Sequence, residues 1–414
     1  MSILAMLVMT APNTFMSRTP APPVPIVPSL SKYAVDHLFV NNVRFLSMAG
    51  VVACHCIGAS RLIPGISSSG WLLSGMLQPF KFGTIDFFLI SGFLMNEGLT
   101  RGGPLEYLRR RLKRVLTPWL FWFSLFYVML LTKYVMKGEL RLHSLRGNFL
   151  YLLDRLHICL FSSAYWFVPN LLLALCVLLL CRRLLRDLRF GCLLLALSLF
   201  YSLNIYAQWI SVSTHTEALL GFVFYLWLGA WGARNMNAVA SLVARISMPA
   251  LIALAVITGM AAMCESNVLA ALGFADTMDT LRISNQAYSV AIVLVIIKLR
   301  RAIWPRTWDV RASTFGIYLT HSIILSLLLK TPELNVLRSL AGQTWGARAG
   351  MAICLSLGGF AATYGCSLFL TRWLLSRQGL CWMVGSPAPR RKAGIEVGSV
   401  ITFSPMSGQA HPAS

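Results

Sequence analysis

About ten apolar runs, most of them roughly 17–23 residues long, alternate with short polar or basic loops along most of this chain. A helix of about 20 residues crosses about 30 Å of hydrocarbon. The runs lie at about 39–59, 78–98, 115–135, 162–181, 190–208, 218–234, 247–265, 283–299, 312–330 and 348–370, the fourth and fifth being the least distinct. Composition agrees: hydrophobic residues make up 57% and charged residues 12%, against roughly 25% charged in a soluble domain. The expected fold is therefore all-α, a polytopic transmembrane bundle of about ten spans. A flexible Pro-rich tail is expected over 1–35, the membrane domain over 36–375 and a disordered tail over 376–414. The opening apolar stretch has no basic residue before it and makes a poor signal peptide, and either Met1 or Met16 could be the start.

The net charge of +22 would suggest nucleic acid in a soluble protein. Here the cations sit in clusters between apolar runs: Arg101, Arg109, Arg110, Arg111, Lys113 and Arg114; Arg182, Arg183, Arg186 and Arg189; Lys298, Arg300, Arg301, Arg306 and Arg311; and Arg372, Arg377, Arg390, Arg391 and Lys392. With ten spans all four clusters fall on one side, which the positive-inside rule makes the cytoplasm. Both termini are then cytoplasmic and no nucleic acid is expected. One loop dissents, because Lys133, Lys137, Arg141, Arg146 and Arg155 fall outside. The 10 Cys form no CxxC pair and mostly lie within apolar runs, which points to neither disulfides nor zinc.

Ionisable groups inside spans cost about 2.5–3.5 kcal/mol each on insertion scales and so mark sites. The first two spans hold Arg44, His55 and Asp86. Eleven helical steps of about 100° bring Arg44 and His55 to one helix face, about 16 Å apart along the axis. Asp86, on the returning span, falls at a depth similar to His55, so a His–carboxylate pair is geometrically open. Arg44 could equally snorkel to the interface, and His55 could be a packing residue. Cys54 and Cys56 flank His55, but consecutive helical residues face different ways, so metal is not expected there.

Arg44-x10-His55, then GTIDFFLISGFLM at 83–95, YLRRRLKRVLTPWLFW at 107–122, AYWFVPNLLLAL at 164–175 and TFGIYLTHSIILSLLL at 314–329 together resemble membrane acyltransferase family 3. Its members are ten-span O-acyltransferases of bacterial surface glycans and related acceptors. The resemblance runs from about residue 40 to about 370, in the family's order. It implies that His55 is catalytic, that Arg44, Arg111 and Arg114 help hold the acyl donor, and that Asp86, Ser91 and Gly92 belong to the second-span signature, with Asp86 expected as the catalytic partner of His55 and Ser91 as a possible pocket residue. Trp166, Tyr318 and His321 match later motifs and are possible pocket residues. Chemistry fits these roles: a hydroxyl attacking a thioester needs a base active near neutrality, a carboxylate would orient it, and coenzyme A phosphates suit arginines. Topology alone also demands the charges at 109–114, and Ser91 is equally explained as a small packing residue beside Gly92. His37, His143, His157, His215 and His411 match no motif and read as surface or loop residues.

The expected function is O-acetyl transfer from acetyl-CoA to a hydroxyl of an exopolysaccharide or O-antigen unit, at the bacterial inner membrane. Acyl-CoA and a glycan or lipid-linked sugar are the implied partners, with membrane lipids around and no metal cofactor. Some members carry an extracytoplasmic esterase-like domain after the spans, and none is expected here. The alternative is a transporter or flippase of a glycan intermediate or small anion, against which the absence of paired Gly/Pro interruptions counts. A third reading is a non-catalytic subunit of an assembly complex, in which Arg44 and His55 would tolerate alanine.

Overall fold

The computed structural model describes residues 32–59, 70–100, 103–136, 145–210, 212, 214–274, 276–305, 307–329 and 344–386. Among them there are helices and turns and no strand, as expected of a backbone that must satisfy its own hydrogen bonds in hydrocarbon. The helices are α1 (Lys32–Ala59), α2 (Gly70–Leu77), α3 (Gly83–Thr100), α4 (Pro104–Met136), α5 (Leu145–Phe161), α6 (Phe167–Leu180) and α7 (Leu188–Ala207). They continue with α8 (Val223–Arg234), α9 (Met236–Arg245), α10 (Met248–Ala271), α11 (Ile283–Lys298), α12 (Val310–Leu328) and α13 (Trp345–Ser376). Every apolar run picked out in the sequence carries a helix: α1, α3, α4, α6, α7, α8, α10, α11, α12 and α13.

Among the described residues, 5 helices are long and apolar enough to cross a membrane alone: α1 over Leu38–Ala59, α4, α7, α10 and α13. The pair α5 and α6, bent by 78° at a short break, makes up to 6. The shorter helices owe their length to position. In α8 most residues, including Val223, Phe224, Tyr225, Leu226 and Trp227, are buried in protein, so its length need not match a bilayer. In contrast only 17% of the most apolar stretch of α10 is buried, and Val256, Ile257 and Met260 are exposed, the surface of a helix facing lipid.

Two large apolar clusters form most of the core among the described residues. One joins α3, α6 and α8 through Phe88, Leu175, Phe222 and Trp227. The other joins α1, α4, α12 and α13 through Met48, Trp119, Ile317 and Leu368. The α3–α8 crossing is the tightest. A Cβ on Gly92 would collide with the carbonyl oxygen of Leu226, and one on Gly229 with that of Leu89. Each backbone thus rests on the other's glycine, the small-residue packing that membrane helices favour.

Two boundary expectations need correction. Helix α1 already begins at Lys32, inside the stretch assigned to the N-terminal tail. At the other end, packed structure continues past 375. A 3-10 turn over Cys381–Val384 buries Cys381 and Val384, and Trp122 Nε1 donates to the Met383 carbonyl at 2.8 Å. The apolar Leu380–Val384 side chains need a core, and the start of α4 supplies it. The tail segments 1–31 and 387–414, with Met16, Arg101, Lys137, Arg141, His143, Arg306 and His411, lie outside the described residues, as does the side chain of His37.

Candidate active site

Two groups of side chains stand out, one beside Arg44 and one around His55. At one end Phe45, one residue beyond the half-buried Arg44, meets Trp308 edge-on at 5.9 Å. The Trp308 ring stacks on Tyr364 at 6.1 Å and lies under the Arg372 guanidinium at 5.8 Å. Arg372 also donates to the Thr307 carbonyl at 2.9 Å. Arg111 and Arg114 lie near the start of α4, Arg111 half-buried and Arg114 exposed. A Cβ on Gly385 would come within 2.5 Å of the Arg114 carbonyl and 3.0 Å of the Phe315 ring, so this part of α4 abuts α12 at the same end. Some cations have structural work there. Lys298 Nζ donates to the carbonyls of Val243, Ala244 and Ile246 at 3.2, 2.9 and 2.7 Å, closing the C-terminus of α9 where the helix dipole favours a cation.

Three turns along α1 from Arg44, His55 faces α12. Its ring lies 5.2 Å, centroid to centroid, from that of the fully buried His321. The Nδ1 of His321 is 2.7 Å from the Tyr318 carbonyl and 3.2 Å from the Ile317 carbonyl. Carbonyl oxygens can only accept, so Nδ1 carries the proton and Nε2 presents a lone pair. The Ser322 hydroxyl lies 3.4 Å from Nε2.

The two later motifs meet behind this pair. The Tyr318 hydroxyl donates to the Ala164 carbonyl at 2.8 Å, and the Tyr165 hydroxyl donates back to the Leu319 carbonyl at 2.7 Å. Trp119 Nε1 completes the brace on the Tyr165 carbonyl at 3.0 Å. The Ala164–Trp166 turn exists because Ser163 caps it, accepting from the Tyr165 amide. Trp166, next in line, lies against Phe222 and meets the His215 ring edge-on at 5.3 Å.

Asp86 departs from the expected pairing. It sits fully buried in the first turn of α3, and neither carboxylate oxygen makes a hydrogen bond among the described residues. Depth along two antiparallel helices fixed its level but not its direction, and the imidazole facing His55 comes from α12 instead. The α3 N-terminus offers Asp86 a favourable dipole. Ser91 is half-buried beside Gly92 at the α3–α8 crossing.

Sequence reasoning passed over several residues at the His55 end. His55 lies within electrostatic reach of His321, Lys81 and His215. Lys81 Nζ donates to Thr280 Oγ1 at 3.3 Å. The fully buried Arg282 donates to Gln78 Oε1 at 3.0 Å, to the Asp279 carbonyl at 3.1 Å and to the Ala262 carbonyl. His215 Nδ1 is 3.5 Å from Asp276 Oδ2 and 3.9 Å from Asp279 Oδ2. Burial works against the Asp276 carboxylate, but the adjacent His215 overcomes it and holds the group down to about 2; burial pushes Asp279 up. A signal was available: the chain has 14 acidic residues, and two of them sit three apart between apolar runs. The dissenting basic loop is partly accounted for as well. The Arg155 guanidinium lies over the Tyr134 and Tyr151 rings at 5.2 and 5.0 Å and pairs with Asp154.

Here, then, one helix links an arginine-bearing end to His55 of an imidazole pair, and the arrangement suits group transfer through the protein interior. Comparison with known proteins agrees. The family model described as an acyltransferase domain, of acyltransferase family 3, matches residues 37–372. No curated protein and no solved structure matches the chain. The chain belongs to acyltransferase family 3, and is a multi-pass membrane acyltransferase.

Proposed function

We propose that this protein transfers an acetyl group from acetyl-CoA to a hydroxyl of a surface glycan or its lipid-linked precursor at the bacterial inner membrane. The observation that carries the reading is the meeting of His55, on the helix that also carries Arg44, with His321 of α12, whose tautomer is fixed. The donor's phosphates are held at the Arg44, Arg111 and Arg114 end. Its pantetheine arm spans the roughly 16 Å to His55. His55 takes the proton of the acceptor hydroxyl as its oxygen attacks the thioester carbon. The C–S bond breaks, and the proton passes to the departing thiolate. His321 Nε2 faces this exchange as a second acceptor. Asp86, Ser91, Trp166 and Tyr318 shape and support the site.

Ten spans with both termini cytoplasmic support this reading best. Helices α1 and α12 run the same way, since Phe45 meets Trp308 at one end and His55 meets His321 at the other, and this supports an alternating arrangement.

The test is glycan O-acetyl content by NMR in a deletion strain carrying wild type or His55→Ala at equal membrane abundance, with acetyl-CoA turnover measured on the purified proteins. Wild type restores acetyl groups, and His55→Ala lowers the rate by about 10²–10⁴-fold. Normal acetylation by His55→Ala removes the catalytic role. A wild type that consumes no thioester removes the enzyme reading for acetyl-CoA and favours transport.

A further inference from the structure

We propose that His215, Asp276 and Asp279 form a binding site for one divalent transition-metal ion of the zinc class, at the His55 end of the bundle. Each residue offers one ligand atom, and the three atoms lie within 4.8 Å of one another. They converge without satisfying each other. His215 Nδ1 is buried and has no hydrogen-bond partner among the described residues, although two carboxylate oxygens face it at 3.5 and 3.9 Å. The shorter separation matches neighbouring ligands around a tetrahedral ion, roughly 3.4 Å apart for bonds of about 2.1 Å, and the longer one needs a small side-chain adjustment to reach it.

The carboxylates are pre-set for this. Asp276 Oδ1 accepts from the Met278 amide at 3.2 Å, and Asp279 Oδ1 accepts from the Leu281 amide at 2.7 Å. In each residue the backbone holds one oxygen and turns the other, Oδ2, towards His215. The Trp166 edge fixes the imidazole, and Asn170 Nδ2 holds the loop through the Thr216 carbonyl at 2.9 Å. Such outer partners are what orient metal ligands.

The neighbouring cations leave the site open. Lys81 is engaged with Thr280 Oγ1, and Arg282 with the Asp279 carbonyl, Gln78 and Ala262. Among the described residues, neither Lys nor Arg makes an ion pair with these two carboxylates, and the ring that faces them is His215. The buried Asp279 and half-buried Asp276 carboxylates repel each other, and a divalent ion removes that cost. One imidazole with two carboxylates suits zinc or manganese, whereas calcium prefers six to eight oxygens. The ion would staple the loop between α7 and α8 to the loop between α10 and α11, and three protein ligands leave a coordination position for water or a substrate oxygen.

This inference stands apart from the acyl-transfer reading, and so does its test. The full chain, purified in detergent and stripped with a chelator, is titrated with ZnCl2 by calorimetry, and bound zinc is counted by mass spectrometry. One zinc per chain is expected, with Asp276→Asn and Asp279→Asn each weakening binding about 100-fold or more. Because either variant could fail to fold, His215→Cys is loaded with Co²⁺. A thiolate-to-cobalt charge-transfer band in that variant, missing in wild type, places the ion on residue 215. Absence of saturable zinc uptake by wild type, zinc uptake unaltered by both Asn variants, or absence of the band overturns the site. Zinc uptake and the cobalt band are read separately from acetyl-CoA turnover, so failure of this site and failure of the acyl-transfer reading are told apart.

Discussion

At His321 one backbone carbonyl decides the chemistry of an imidazole. With Nδ1–H committed to Tyr318, the ring offers Nε2 as an acceptor. Asparagine places its amide N–H near the Nδ1 position and has no counterpart to Nε2. His321→Asn should therefore keep the fold, within a few degrees of wild-type Tm, while kcat falls by about 10²-fold. A variant that loses both together would make His321 a packing residue. Tyr318→Phe tests the brace behind the pair. It strands the buried Ala164 carbonyl and should cost about 1–3 kcal/mol in chemical denaturation, with no change in acetyl-CoA KM. Residue by residue, the site was unevenly legible. His55 stood out because an ionisable group inside an apolar run needs a reason. His321 was legible through its Gly-Ile-Tyr-x-x-His context, not through any pattern that placed it beside His55. Asp86 was legible as a buried acid, but its direction was not, since helix depth carries no azimuth between two helices of unknown crossing angle. His215 was hidden, because a loop histidine gains meaning only from the acids a distant loop brings to it.

Among the elements, apolar length was the readable quantity, and each predicted run became a helix. What it could not convey was which helices face lipid and which are enclosed. Helices α8 and α10 read alike in hydropathy, yet one is core and the other surface. Helices α2, α5 and α9 were not foreseen, being short or polar segments between spans. In α9 the apolar residues Met236, Val239, Leu242, Val243 recur at helical spacing, and Asn237 and Ser241 lie on the polar face. The glycines give the sharpest test at this scale. Gly92→Ala or Gly229→Ala drives a methyl into the opposing backbone at the α3–α8 crossing, and backbone cannot swing aside as a side chain can. Each should cost about 1–3 kcal/mol or more and lower the yield of monodisperse protein on size exclusion. Gly365→Ala on α13, with open space around its Cβ position, should leave both unchanged or slightly improved. Equal behaviour of the three variants would remove the crossing as a determinant of the fold.

Across the whole molecule, one end is rich in arginine and the other gathers His55, His215, Asp276 and Asp279. Following the helices, α1 runs from the arginine end to the His55 end, α3 returns to Asn96 beside Arg234, and α8 runs from the His215 loop back to that same arginine. Helix α11 leaves Arg282 at the His55 end and reaches Lys298 beside the end of α9. On the ten-span reading proposed above, the positive-inside rule puts the α9 surface in the cytoplasm and the loop after α7 outside. This yields a topological prediction independent of activity. In a variant stripped of native cysteines, Trp209→Cys, on an exposed loop residue at the His55 end, should react with a membrane-impermeant maleimide in intact cells. Ser241→Cys, on the exposed face of α9, should react only after the membrane is opened. The same labelling pattern is what ten alternating crossings require, because an odd number of crossings between α7 and α9 puts the two positions on opposite faces. Labelling of both from outside would mean that α8, only 12 residues long, does not complete a crossing with its preceding turns. The acyl group would then have less membrane to traverse than the arginine-to-histidine distance on α1 implies.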